Sequence, residues 1–127
     1  MTEPVEIAVQ TYIRAATERD PTLRAQLLEA CFAREGRFVT RGRVIHGRAG
    51  VAEMLARAHA DPQLGRIRLL SVVDAGGTIF RFRSLVENRD GTSAEFFDAG
   101  EIDADGKISL LLTFAGPLAD ADDEASR

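Results

Sequence analysis

Reactive side chains are scarce in this chain, with two histidines, one cysteine and one tyrosine among 127 residues. The residue whose setting suggests chemistry is a carboxylate. In "SAEFFDAGEID", Ser93 to Asp103, one parity holds Ala94, Phe96, Asp98, Gly100 and Ile102, and the other is mostly polar. Side chains alternate faces along a strand, so the even set should pack on a core, with Asp98 in its middle. An aspartate desolvated there has its charged form disfavoured, and its pKa should rise. Neutral, it can donate a hydrogen bond; titrating near neutrality, it can carry a proton. The plainer alternative is an Asp98 hydrogen-bonded to Tyr12, Ser84 or a buried water.

Tyr12 falls on the apolar stripe of a helix, so its ring is core and its hydroxyl serves either a ligand or Asp98. His46 closes a short strand, at the mouth of a cavity or in solvent. His59 lies near the end of a helix, where an imidazolium suits the helix dipole. No His-x-His, His-x-x-x-His or Cys-x-x-Cys spacing is present, so neither a metal site nor a cofactor is implied. Cys31 sits on an apolar helix stripe and reads as a small core residue.

The elements that must position these groups follow from periodicity. Val5, Ala8, Val9, Tyr12, Ile13 and Ala16 recur at spacings of three and four, predicting a helix over about residues 3 to 19. Asp20 and Pro21 restart the chain as N-cap and first helical residue. The second helix carries Leu23, Leu27, Leu28, Cys31 and Phe32 and should end near Gly36. "RFVT" and "RVIH" read as two short strands around Arg41-Gly42. A third helix with Val51, Met54, Leu55 and Ala58 on one face stops before Pro62.

From Arg66 the period becomes two, punctuated at Gly76-Gly77, Asp90-Gly91 and Asp105-Gly106, which predicts three hairpins joining four strands. Parity fixes two of the loops. Paired residues share a face, so Phe82 must oppose an even position, which a three-residue loop Arg89-Asp90-Gly91 achieves. The same logic makes Ala104-Asp105-Gly106 the next loop and puts Ile108, Leu110, Leu112 and Phe114 on the core face. Asp98 should then lie between Phe82 and Leu112, with Phe96 beside Ser84 and Phe114. The register at Gly76-Gly77 stays open.

Length allows one domain, expected over 1–117, followed by an acidic tail over 118–127 expected to be disordered. Net charge is -4, and the final eight residues hold four acids against one arginine, so the folded body is near neutral and suggests no nucleic-acid partner. No apolar run approaches the roughly 18 residues of a membrane span. "MTEPVEIAV" lacks a signal-peptide pattern, and the lone cysteine permits no internal disulfide; both fit the cytoplasm.

The order helix, helix, short hairpin, helix, four long strands resembles the nuclear transport factor 2-like fold. "AVQTYIRAATERDPTLRAQLLEACFAREGRFV" is similar to the two-helix opening of SnoaL-like polyketide cyclases and ketosteroid isomerases. "FFDAGEIDADGKISLLLTFAGP" resembles their closing hairpin, and "VIHGRAGVAEML" their Gly-Arg entry into the third helix. The resemblance implies an α+β, NTF2-like (cystatin-like) cone, with three N-terminal helices on a strongly bent antiparallel sheet. In ketosteroid isomerases a helix-one tyrosine and a sheet aspartic acid donate to the substrate oxyanion, while a second aspartate moves the proton. Tyr12 and Asp98 match the first two; the third falls at Thr40, which cannot act as that base, and neither can Arg41 beside it. Limonene epoxide hydrolases, of the same fold, use an Arg-x-Asp strand motif where this chain reads Arg81-Phe82-Arg83.

The expected site is an apolar pocket for a small hydrophobic, oxygen-bearing molecule. Phe82, Phe96, Leu112 and Phe114 from the long strands, Phe38 and Thr40 from the hairpin and Met54 from the third helix should line it beside Tyr12 and Asp98. The reaction would be proton transfer next to a carbonyl, as in an isomerase or cyclase, with Asp98 as acid/base or oxyanion donor and Tyr12 supporting. The alternative is a non-catalytic binding protein or a dimeric interaction module. On the outer face, Arg81 and Arg83 should pair with Glu95 and Glu101. Ile79, Leu85 and Phe97 form an apolar patch there, where the resembled families dimerise, implying a homodimer.

Overall fold

The computed structural model describes residues 3–122. Helix α1 spans Pro4–Thr17, opens on proline, and buries Val5, Ala8, Val9, Tyr12, Ala15 and Ala16 along one stripe. Helix α2 spans Pro21–Cys31, and its N-cap Asp20 accepts a hydrogen bond from the Thr22 N–H at 2.9 Å. Buried Arg24 donates from Nη1 to the Glu18 carbonyl at 2.9 Å, tying α2 to the turn that precedes it. The chain continues through β1 (Phe32–Thr40), β2 (Arg43–His46), α3 (Gly47–Ala60), β3 (Leu64–Leu69), β4 (Asp74–Gly76), β5 (Ile79–Asn88), β6 (Ser93–Ile102) and β7 (Ile108–Ala115).

The strands form one curved α+β sheet in the order β2-β1-β7-β6-β5-β3, with β4 also paired to β5. All pairings are antiparallel except β1 with β7. Its concave face meets the helices, and Phe32, Leu28, Ile108, Leu111, Val5, Val9 and Val51 are fully buried between the layers.

Both predicted long-strand loops are present. Asn88 and Thr92 close the loop Arg89–Gly91, and Asp103 and Lys107 close Ala104–Gly106, with positive φ at Gly91 and Gly106. Phe82 therefore pairs with Asp98. The open register is settled by Gly76 pairing with Ile79, which leaves Gly77-Thr78 as a two-residue loop.

Three expectations are corrected. Helix α2 ends at Cys31, not near Gly36. Gly36 is a strand residue, needed because a Cβ there would stand 2.6 Å from the Phe32 ring and 2.9 Å from the Ile108 carbonyl. The strand expected from Arg66 is broken into β3 and β4, both paired with β5, so five strands follow α3 instead of four. The core face of β7 also differs. Ile102 pairs with Ile108 but Glu101 with Leu110, so Ser109 is an extra residue in β7. This bulge reverses parity beyond it. Leu111 faces the core, while Leu110, Leu112 and Phe114 turn to the convex side. The tail expectation falls partly on residues 123–127, which lie outside the described residues.

Candidate functional site

A cavity of about 320 Å³ lies between the concave face of the sheet, α1 and α3. Tyr12 reaches it from α1, Met54 from α3, Phe38 and Thr40 from β1, Phe82 from β5, and Phe96 and Asp98 from β6. These seven predicted residues are brought together. Leu112 and Phe114 are not: the Ser109 bulge sends Leu112 to an outer groove and leaves Phe114 43% exposed. Thr113 takes the wall position expected for Leu112, opposite Asp98. Sequence reasoning also missed Ser84 and Val86 as lining residues, although they share the parity of Phe82, and Ile13 and Ala16, which flank Tyr12 on the helix stripe.

Asp98 is 6% exposed, and burial pushes its pKa up to about 7, a rise opposed in part by the Thr113 hydroxyl. The two groups do not meet in good hydrogen-bond geometry: Asp98 Oδ1 and Thr113 Oγ1 are both buried without a partner. A buried carboxyl with an unused oxygen is costly to the fold and chemically available. The Tyr12 hydroxyl is pushed well above its ordinary pKa, first by burial and then by the negative charge of Asp98. It therefore stays a neutral donor throughout the physiological range, packed beside Phe32 with ring centroids 6.3 Å apart.

The remaining candidates stand apart from this pair. His59 donates from Nε2 to the Ala16 carbonyl at 2.8 Å, which ties α3 to α1. His46 is exposed at the start of α3. Cys31 is fully buried, and its thiol is pushed up to about 12 mainly by burial, so it is no nucleophile. Among the described residues no group of three or more His, Cys, Asp or Glu side chains could hold a metal ion. No helix there is long and apolar enough to cross a membrane.

No family model and no curated protein matches the chain. Solved structures do. A SnoaL-like family protein from Agrobacterium tumefaciens superposes with a TM-score of 0.78 at 25% identity, covering 90% of this chain and 98% of that one. The chain belongs to the SnoaL-like/NTF2-like superfamily. An NTF2-like protein of unknown function from Burkholderia xenovorans matches with a TM-score of 0.71 at 13% identity over 97% of this chain and 91% of its own. A de novo designed protein with a curved β-sheet reaches 0.72 at 17% identity over 92% and 89%. Likenesses at this identity show a shared architecture and leave function to the site.

Within this SnoaL-like/NTF2-like cone, Thr40 lines the cavity one residue beyond the Val39–Leu112 pair, so it neighbours Thr113. Its hydroxyl is within 3.5 Å of the Arg43 carbonyl. Among the described residues Asp98 is thus the only carboxylate of the wall. On the convex side, Arg83 pairs with Glu95 at 3.6 Å as expected, whereas Arg81 pairs with Asp74 at 2.8 Å in place of Glu101. The break before β4 brings Asp74 opposite Arg81. Ile79, Leu110 and Leu112 edge a broad groove of about 650 Å³ on that side.

Proposed function

We propose that the concave cavity binds a small, largely hydrophobic molecule bearing a carbonyl or phenolic oxygen, and moves a proton on the carbon next to that oxygen. The observation that carries this reading is Asp98, a carboxyl with an unpartnered oxygen and a pKa of about 7 in the wall of a largely apolar cavity. Ionised, Asp98 takes the proton from the α-carbon; the C–H electron pair forms the enolate C=C bond, and negative charge collects on oxygen. Tyr12 donates its hydroxyl hydrogen bond to that oxygen, and its raised pKa keeps the proton on the phenol. The neutral Asp98 then returns a proton to carbon. One carboxylate suffices, because the group that removes the proton also delivers it.

A second reading, ligand binding without chemistry, is favoured by Thr40, which has no basic atom to serve as a second proton acceptor beside the carbonyl. Deuterium exchange separates the two. In D2O, 2-tetralone should lose its α-protons faster with the wild-type protein than with Asp98→Asn, while both bind it equally. Equal binding with no exchange above buffer in the wild type would establish the binding-only reading.

We also propose that the convex face joins two copies of the chain. Ile79 at 63% and Phe114 at 43% exposure, with Phe97 and Leu112 between them, leave an apolar band edged by the Arg81–Asp74 and Arg83–Glu95 pairs. Sedimentation velocity should show a dimer for the wild type and a monomer for Leu112→Glu; a monomeric wild type at high micromolar concentration overturns it.

A further inference from the structure

From the size of the cavity and the side-chain plug beyond Asp98 we infer that its ligand is a one- or two-ring compound with its oxygen at the Asp98 end, and that a four-ring skeleton exceeds the space. This rests on the ligand-binding reading above and narrows it. A cavity of about 150 Å³ that accepts one benzene sets a scale of roughly 25 Å³ per non-hydrogen atom. The present cavity of about 320 Å³ then holds about 13 such atoms. A naphthol, with about 11, fits; a four-ring phenol such as equilenin, with about 20, does not.

The space cannot extend inward past Asp98. The next row of the concave face runs Phe80, Gly100, Leu111 and Phe38 across four strands, and its three side chains are buried. The Phe80 ring occupies the place a side chain at Gly100 would take, since a Cβ there would come within 2.8 Å of Phe80 Cζ. Phe80 also lies nearly parallel to Phe82, with centroids 6.2 Å apart, which locks that plug against the cavity floor. Polarity gives the orientation. Tyr12 and Asp98 meet a ligand at this closed end, while the far wall is mainly the hydrocarbon of Ile67, Leu69 and Val86, with the Ser84 hydroxyl among them and the Arg68 guanidinium held by Glu87.

Binding of 2-naphthol and equilenin, which carries the same naphthol ring on a four-ring frame, tests the inference by fluorescence titration. The expected result is saturable 2-naphthol binding with equilenin at least tenfold weaker, and a smaller gap in Met54→Ala, which widens the wall at α3. Equilenin binding as tightly as 2-naphthol overturns the size limit and leaves the ligand-binding reading standing. Absence of saturable binding by both overturns that reading, and this inference with it.

Discussion

Asp98 on β6 and Thr113 on β7 are direct cross-strand partners, and each turns a buried side-chain oxygen toward the interior without a hydrogen bond. The pair lies on the cavity wall, where the hydroxyl is the polar group that opposes the burial-driven rise of the Asp98 pKa. Four expectations follow from this arrangement and its neighbours.

Thr113→Val keeps the shape of the side chain and removes its hydroxyl. The Asp98 pKa should then climb above about 7, because the one interaction that lowers it is gone. Thr113→Ser should leave it near the wild-type value. Carboxyl carbon chemical shifts followed by NMR through the titration read both directly, and an unmoved pKa in Thr113→Val would show that the hydroxyl does not act on Asp98.

Stability should depend on pH through the same group. With a folded-state pKa of about 7 against an ordinary 3.8, the native protein holds a proton that the unfolded chain has released. Between those values stability therefore falls as pH rises, by about 1.4 kcal/mol per pH unit and about 4 kcal/mol at most. Asp98→Asn lacks this slope. Its advantage over wild type in urea unfolding should grow from pH 4 to pH 7 and level off above. Glu87 and Asp90, both held below their ordinary pKa by hydrogen bonds, tilt stability the other way at acid pH, but equally in both proteins.

Deuterium exchange into 2-tetralone needs Asp98 ionised. Its rate should rise about tenfold per pH unit below 7 and flatten above, following the carboxylate population. Thr113→Val should move the inflection upward. A rate independent of pH between 5 and 8 would remove Asp98 from the proton transfer.

Tyr12→Phe deletes one donor and leaves the ring. Affinity for 2-tetralone should weaken by about 1 kcal/mol, the scale of a single neutral hydrogen bond. Unchanged affinity on calorimetric titration would mean that the hydroxyl faces no ligand.

How much of this was legible in the sequence depended on whether the residues marked their own geometry. Gly91 and Gly106 adopt positive φ and fixed their loops, so the Phe82–Asp98 pairing followed from parity alone. The β7 register was hidden. Its bulge carries a serine, not a glycine, and the run Leu110-Leu111-Leu112 is apolar on both parities, so a slip of one residue leaves the pattern unchanged. The β3–β4 break was hidden in the same way, because Leu69-Leu70 and Val72-Val73 on either side of Ser71 are apolar on both parities. At the site, Tyr12 and Asp98 were legible because each is a polar group on an apolar face. Thr113 was not, since its place on the wall is set by the bulge and by nothing in its own neighbourhood.

The extra residue at Ser109 makes chain length, not residue identity, the determinant of what faces Asp98. A deletion of one codon there would rotate Leu112 and Phe114 into the interior and turn Thr113 out to the convex side. The carboxyl would lose its only hydroxyl neighbour on β7, and the apolar band outside would lose its aromatic end. A single insertion or deletion in this hairpin would thus exchange a tuned acid for an oily wall, and one outer surface for another, with every other residue of the chain unchanged.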